Sequence, residues 1–162
     1  MTRVALLDAP VAAAYVHELA GGLRAAGHEA DVVRVPRRRE EALRRRGFTG
    51  PLTHVPGLAL ALRRGAHDVV HAFTVPDALA ARWSGRPVVF TCVEALRREN
   101  VADRRLRLAL LRAAVEDSAA VTAADEAAAE GLRRWMAVDA AVVAAGDAVG
   151  WERVYAGVPA CR

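Results

Sequence analysis

Six short, predominantly apolar runs punctuate this sequence, and the stretches between them carry helical periodicity. The runs are Val4–Leu7, Ala30–Val35, 68–72, Pro87–Cys92, Ala119–Ala123 and Ala140–Ala144. A strand wetted on one face alternates apolar and polar residues, whereas an unbroken apolar run predicts a strand covered on both faces. Between the runs, 11–26 places Val16, Leu19, Ala20 and Leu23 on one helical face and stops at Gly27. Helices are also expected over 57–64, 77–83, 102–116 (with Leu108, Leu111 and Val115 on one stripe), 126–136 and 151–157. Strands alternating with helices, joined by right-handed crossovers, give a mostly parallel sheet of about six strands with helices on both faces.

The expected fold is therefore α/β, a Rossmann-like three-layer α/β/α sandwich. At 162 residues the chain has the size of one domain. The whole span 1–162 reads as a single unit that closes with the short helix 151–157. Aromatic residues make up only 5%, so the core must be built from Ala, Val and Leu. No apolar run approaches the roughly 18 residues of a membrane span. A secretory signal is not expected either, because Asp8 and Pro10 interrupt the first apolar run. The two cysteines, Cys92 and Cys161, form no metal-ligand spacing and no disulfide framework, and the expected compartment is the cytoplasm.

All 23 basic residues are arginine, which removes lysine-dependent phosphate cradling and Schiff-base chemistry. The net charge of +4 has an address: seven arginines against Glu40 and Glu41 lie between Arg34 and Arg46. Arg37, Arg38, Arg39, Arg44, Arg45 and Arg46 can form a solvated face, the commoner fate of a charge run. They can also make weak contact with anionic lipid or phosphate. No reading helix or interleaved aromatic accompanies the charge, so nucleic acid is not expected as a partner.

In a doubly wound sheet the ligand crevice lies at the carboxyl ends of the strands. That rule selects Asp8, His71, Thr91 to Glu94 and Asp125. A histidine at a strand end either touches a ligand or serves as a structural hydrogen-bonder. Asp8 either caps the first helix or binds, and Glu94 either orients a hydroxyl-rich ligand or is an idle loop carboxylate. Asp125 is expected to cap the helix 126–136. Familiar uses of such a sheet fail on inspection. The first turn, "DAPVAAAYV", lacks the glycines of a dinucleotide fingerprint. The Gly-Lys-Ser/Thr phosphate loop is absent, as are the acidic pair and late lysine of a phospho-acceptor domain. The five histidines are scattered, so no metal site is expected.

Three stretches, in order, resemble the N-terminal, acceptor-side domain of a GT-B glycosyltransferase of the family-4, retaining, nucleotide-sugar type. "YVHELAGGLRAAGHEADVV" is similar to that family's first helix, Gly-His turn and second strand. "DVVHAFTVPDALAARWSGRPVVFTCVE" is similar to its third and fourth strands, and "AAVTAADEAAAEGLRRW" to its fifth strand and following helix. The resemblance implies that this half holds an acceptor, small-molecule or lipid-linked, while a second Rossmann domain holds the sugar nucleotide. It carries His71, Glu94, Asp8, Tyr15 and Asp125 as acceptor-side contacts, and no catalytic residue is assigned. Several positions depart from the family pattern. The first loop is "APVAAAY" rather than glycine-rich, Val93 stands where a histidine is common, Phe73 replaces a second histidine, and Asp125 replaces a serine. The tail "WERVYAGV" resembles the family's terminal helix.

The expectation is thus a glycosyltransferase-like acceptor domain without the donor-binding half, inactive alone or dependent on a partner chain. The groups that stabilise a departing diphosphate would have to come from that partner. No cofactor is expected of the chain itself, and a nucleotide-sugar donor enters only with a second domain. The alternative is a non-catalytic binding or regulatory module that kept the fold.

Overall fold

The computed structural model describes residues 1–34, 54–96 and 105–159, with side chains in the last stretch from Leu108 onward. The element order is β1 (Arg3–Asp8), a 3-10 turn (Pro10–Ala12), α1 (Ala13–Ala25), β2 (Glu29–Arg34), α2 (Val55–Arg64), β3 (Val69–Ala72) and α3 (Val75–Ser84). It continues with β4 (Val88–Cys92), α4 (Arg105–Glu116), β5 (Ala120–Ala123), α5 (Glu126–Met136), β6 (Ala141–Val142) and α6 (Ala148–Ala156). The strands form one sheet in the order β2-β1-β3-β4-β5-β6, and every pairing is parallel.

Strand parity divides the core into two halves. On one face Ala5, Leu7, Val70, Ala72, Val88, Phe90, Cys92 and Ala123 pack against α2, α3, α4 and α5. On the other, Val4, Leu6, Ala30, Val69 and Val89 pack against Val16, Leu19 and Leu23 of α1 and Trp151 and Tyr155 of α6. The division follows from topology. From β3 to β6 the chain steps steadily one way, so right-handed crossovers put α3, α4 and α5 on a single face. The step from β1 to β2 runs the other way and puts α1 opposite. Beneath β3, β4 and β5 that second face would lie open, and α6 closes it with the fully buried Trp151.

Several boundaries differ from the sequence reading, for local reasons. Helix α2 begins at Val55, two residues before the expected 57, because a proline in the first turn costs a helix no hydrogen bond. Helix α3 begins at Val75, two residues early, because Thr74 caps it. The run 140–144 yields only a two-residue edge strand with both residues exposed. Val143 then turns into the core. Helix α6 starts at Ala148 rather than 151, because Asp147 accepts a hydrogen bond from Gly150 N at 2.9 Å.

Candidate functional site

Because all six strands are parallel, their carboxyl ends share one edge of the sheet. The chain runs from β1 to β2 on one side and pairs β1 with β3 on the other, which makes β1/β3 the switch point where a crevice forms. Asp8 ends β1, half-buried, and its Cα is in register with that of Arg34 at the end of β2. It is not the N-cap residue of the 3-10 turn or of α1. Ala9 and Ala12 stand at the amino ends of the 3-10 turn and of α1, and neither makes a side-chain cap.

Glu94 is exposed in the loop after β4. Its backbone carbonyl accepts a hydrogen bond from the Cys92 thiol at 3.2 Å. Burial pushes that thiol up to about 11, so Cys92 is a packed core group rather than a nucleophile. Asp125 is exposed after β5, and its Oδ1 accepts from Ala128 N at 2.8 Å, which makes it the helix cap expected of it. The carboxyl edge therefore presents Asp8, Glu94 and Asp125 from three strand ends.

His71 does not join them. Its side chain is 0% exposed, the environment of a structural hydrogen-bonder. Nδ1 lies 2.7 Å from the Tyr155 hydroxyl and Nε2 lies 2.6 Å from Thr91 Oγ1. Thr91 Oγ1 in turn lies 2.7 Å from Thr122 Oγ1. The ring stacks on Phe73 at 4.5 Å and leans on Trp151 at 5.0 Å between centroids. Burial lowers its pKa to about 3, which keeps it neutral, so one ring nitrogen donates and the other accepts. Both are spent inside the core. The physical reason is parity: His71 lies on the face that α6 covers, so it points across the sheet rather than off its edge.

Tyr15 is likewise engaged internally. Its hydroxyl donates to the carbonyl of Val143, and its ring meets Phe73 and Trp151 edge-on at 6.0 and 6.5 Å. Burial raises its pKa. Tyr15 thus fastens α1 to the segment after β6, beside the end of β3. Arg37, Arg38, Arg39, Arg44, Arg45 and Arg46 lie outside the described residues.

Sequence reasoning missed the partners of His71. Thr91 and Thr122 are polar residues inside apolar runs, on the same strand parity as His71, and that coincidence was the available signal. A second buried polar group was also missed. Asp77 Oδ1 accepts from His54 Nε2 at 3.0 Å and Oδ2 from the Thr74 hydroxyl at 2.6 Å, while Thr74 Oγ1 accepts from Asp77 N at 3.3 Å. The Thr-x-x-Asp spacing of "TVPD" is the capping-box pattern that would have found it.

A solved structure described as an S. aureus MnaA-UDP co-structure is similar, with a TM-score of 0.60 and 16% identity. The alignment covers 91% of this chain and 44% of that one, and at this identity it establishes the fold. No curated protein matches. The family model for Glycosyltransferase Family 4 matches residues 12–145, most of the chain from α1 to the segment after β6. The chain belongs to Glycosyltransferase Family 4.

Proposed function

We propose that this chain is the acceptor-side half of a GT-B-type glycosyltransferase, and that sugar transfer requires a second lobe to supply the nucleotide sugar. The observation that carries the reading is the single carboxyl edge, where Asp8, Glu94 and Asp125 gather at the ends of β1, β4 and β5. Carboxylates accept hydrogen bonds from hydroxyl groups, so this edge suits a polyhydroxylated acceptor and repels a diphosphate. Glu94 is the best-placed contact, since it is exposed and Asp125 is already occupied as a cap. Asp8 is second, because it sits at the switch point. A diphosphate leaving group would need charge stabilisation from the opposing lobe.

Two further observations support the reading. The alignment with the solved structure spans less than half of that chain, which is the share one lobe of a two-lobed enzyme would occupy. That structure is described as a co-structure with UDP, so uridine diphosphate sugars are the first donors to try. A cytoplasmic setting fits the buried, unpaired Cys92 thiol.

The test is turnover. The purified chain, alone and with candidate donor-lobe chains, is incubated with a panel of nucleotide sugars and simple glycoside acceptors. Transfer is expected only when a donor lobe is present. Turnover by the chain alone would overturn the proposal. Glycoside binding that never leads to transfer with any donor lobe would favour a non-catalytic binding module instead.

A further inference from the structure

The loop Val93–Leu96 carries Glu94, and its backbone is held by groups from outside it. Behind the loop, Gly131 lies in the interior of α5, where glycine costs a helix about 1 kcal/mol relative to alanine. The structure supplies the reason for the exception. A Cβ at Gly131 would sit 2.9 Å from Leu96 N and 3.0 Å from Leu96 Cβ, so only a bare Cα lets the loop approach this closely. One turn further along α5, Trp135 Nε1 donates to the Leu96 carbonyl at 3.1 Å. At the other end of the loop, the Cys92 thiol occupies the Glu94 carbonyl. The β4 strand itself is anchored where Ala124 N donates to Cys92 O at 2.9 Å.

We propose that Gly131 and Trp135 are positioning residues that hold the Val93–Leu96 loop in one conformation, so that Glu94 meets an acceptor hydroxyl from a fixed place. The inference rests on the reading of this edge as the acceptor site. Loops at a ligand edge are ordinarily mobile, and ordering one on binding costs affinity. Here the ordering is done in advance by Gly131 and Trp135, on the body of α5. Neither residue touches the substrate.

The experiment has two arms. In a Cys161→Ser background Cys92 is the only thiol, since the chain has two cysteines. Its reaction with Ellman's reagent then reports opening of the loop. Trp135→Phe, which keeps the ring and loses the N–H, is expected to speed labelling about five- to tenfold, the factor one hydrogen bond supplies. Gly131→Ala is expected to act in the same direction. Parent-like labelling rates in both variants would overturn the inference, and Trp135→Phe guards against a Gly131→Ala chain that fails to fold.

The second arm measures binding of a methyl glycoside panel to the parent, Trp135→Phe, Glu94→Gln and the double variant. Trp135→Phe is expected to weaken binding in the parent and to have no further effect once Glu94 is Gln. Equal losses in both backgrounds would reduce Trp135 to general structure and overturn the proposal. If the parent binds no glycoside, the acceptor reading fails, while the labelling rates still decide whether Gly131 and Trp135 fix the loop.

Discussion

His71 and Tyr155 lie 84 positions apart in the chain and meet in the core, with Nδ1 2.7 Å from the phenolic oxygen. The contact ties α6 to the middle of the sheet. Of the two residues by which α6 enters the core, Trp151 spends its indole N–H locally on the Ala144 carbonyl, whereas Tyr155 hydrogen-bonds to β3. Tyr155→Phe keeps the ring and strands a buried imidazole nitrogen, which costs about 1–3 kcal/mol. Chemical denaturation of the parent and the variant should show that loss with an unchanged denaturant slope. A variant as stable as the parent would mean the His71–Tyr155 bond contributes nothing net.

The same histidine sets a pH dependence with a definite sign. Its pKa falls from 6.5 to about 3 on folding because the charged ring is desolvated. Between those values the unfolded chain binds the extra proton, so stability rises with pH across the window and is fully present above 6.5. As pH falls below 6.5, this group removes up to about 1.4 kcal/mol of stability per pH unit. Replacing His71 with Gln, which cannot titrate, should flatten the profile between pH 4 and 6.5 relative to the parent. Parallel profiles for the two proteins would exclude His71 as the source.

Closure of the second sheet face makes a further prediction. Right-handed crossovers leave β3, β4 and β5 uncovered on the side of α1, and Trp151, fully buried, fills that space. Trp151→Ala should cost about 3–5 kcal/mol, the range for truncating a buried large aromatic. The measurement is thermal unfolding, paired with binding of a hydrophobic dye to the uncovered face. Dye binding without loss of melting temperature would mean that α6 is dispensable to the core.

The strands and the parallel sheet were legible because burial on both faces writes itself into sequence as unbroken apolar runs. Val69–Val70 and Val88–Phe90 needed nothing else. The β6 run 140–144 reads the same way but lies at the sheet edge, where only Ala141 and Val142 pair, and the sequence carries no mark of edge position. Asp125 was legible as a cap because that chemistry is local. Which of its two readings His71 takes was not legible, because its surroundings depend on α6, which arrives from the far end of the chain to cover its face. The fastening of Tyr15 to Val143 is non-local in the same way. Local signals named the elements, and the contacts that decide which groups reach solvent were made between elements.

Asp125 offers a way to separate structure from recognition at the candidate edge. As a cap it supplies a carbonyl-type oxygen to Ala128 N, and asparagine supplies the same atom without the charge. Asp125→Asn should therefore leave stability nearly unchanged, whereas Asp125→Ala should cost about 1 kcal/mol. If Asp125 also meets an acceptor hydroxyl, the charged oxygen binds it about twice as strongly as a neutral one. Asp125→Asn would then weaken glycoside binding while melting at the parent temperature. If both properties stay at parent values in Asp125→Asn, the residue is a cap and nothing more, and recognition at this edge falls to Glu94 and Asp8.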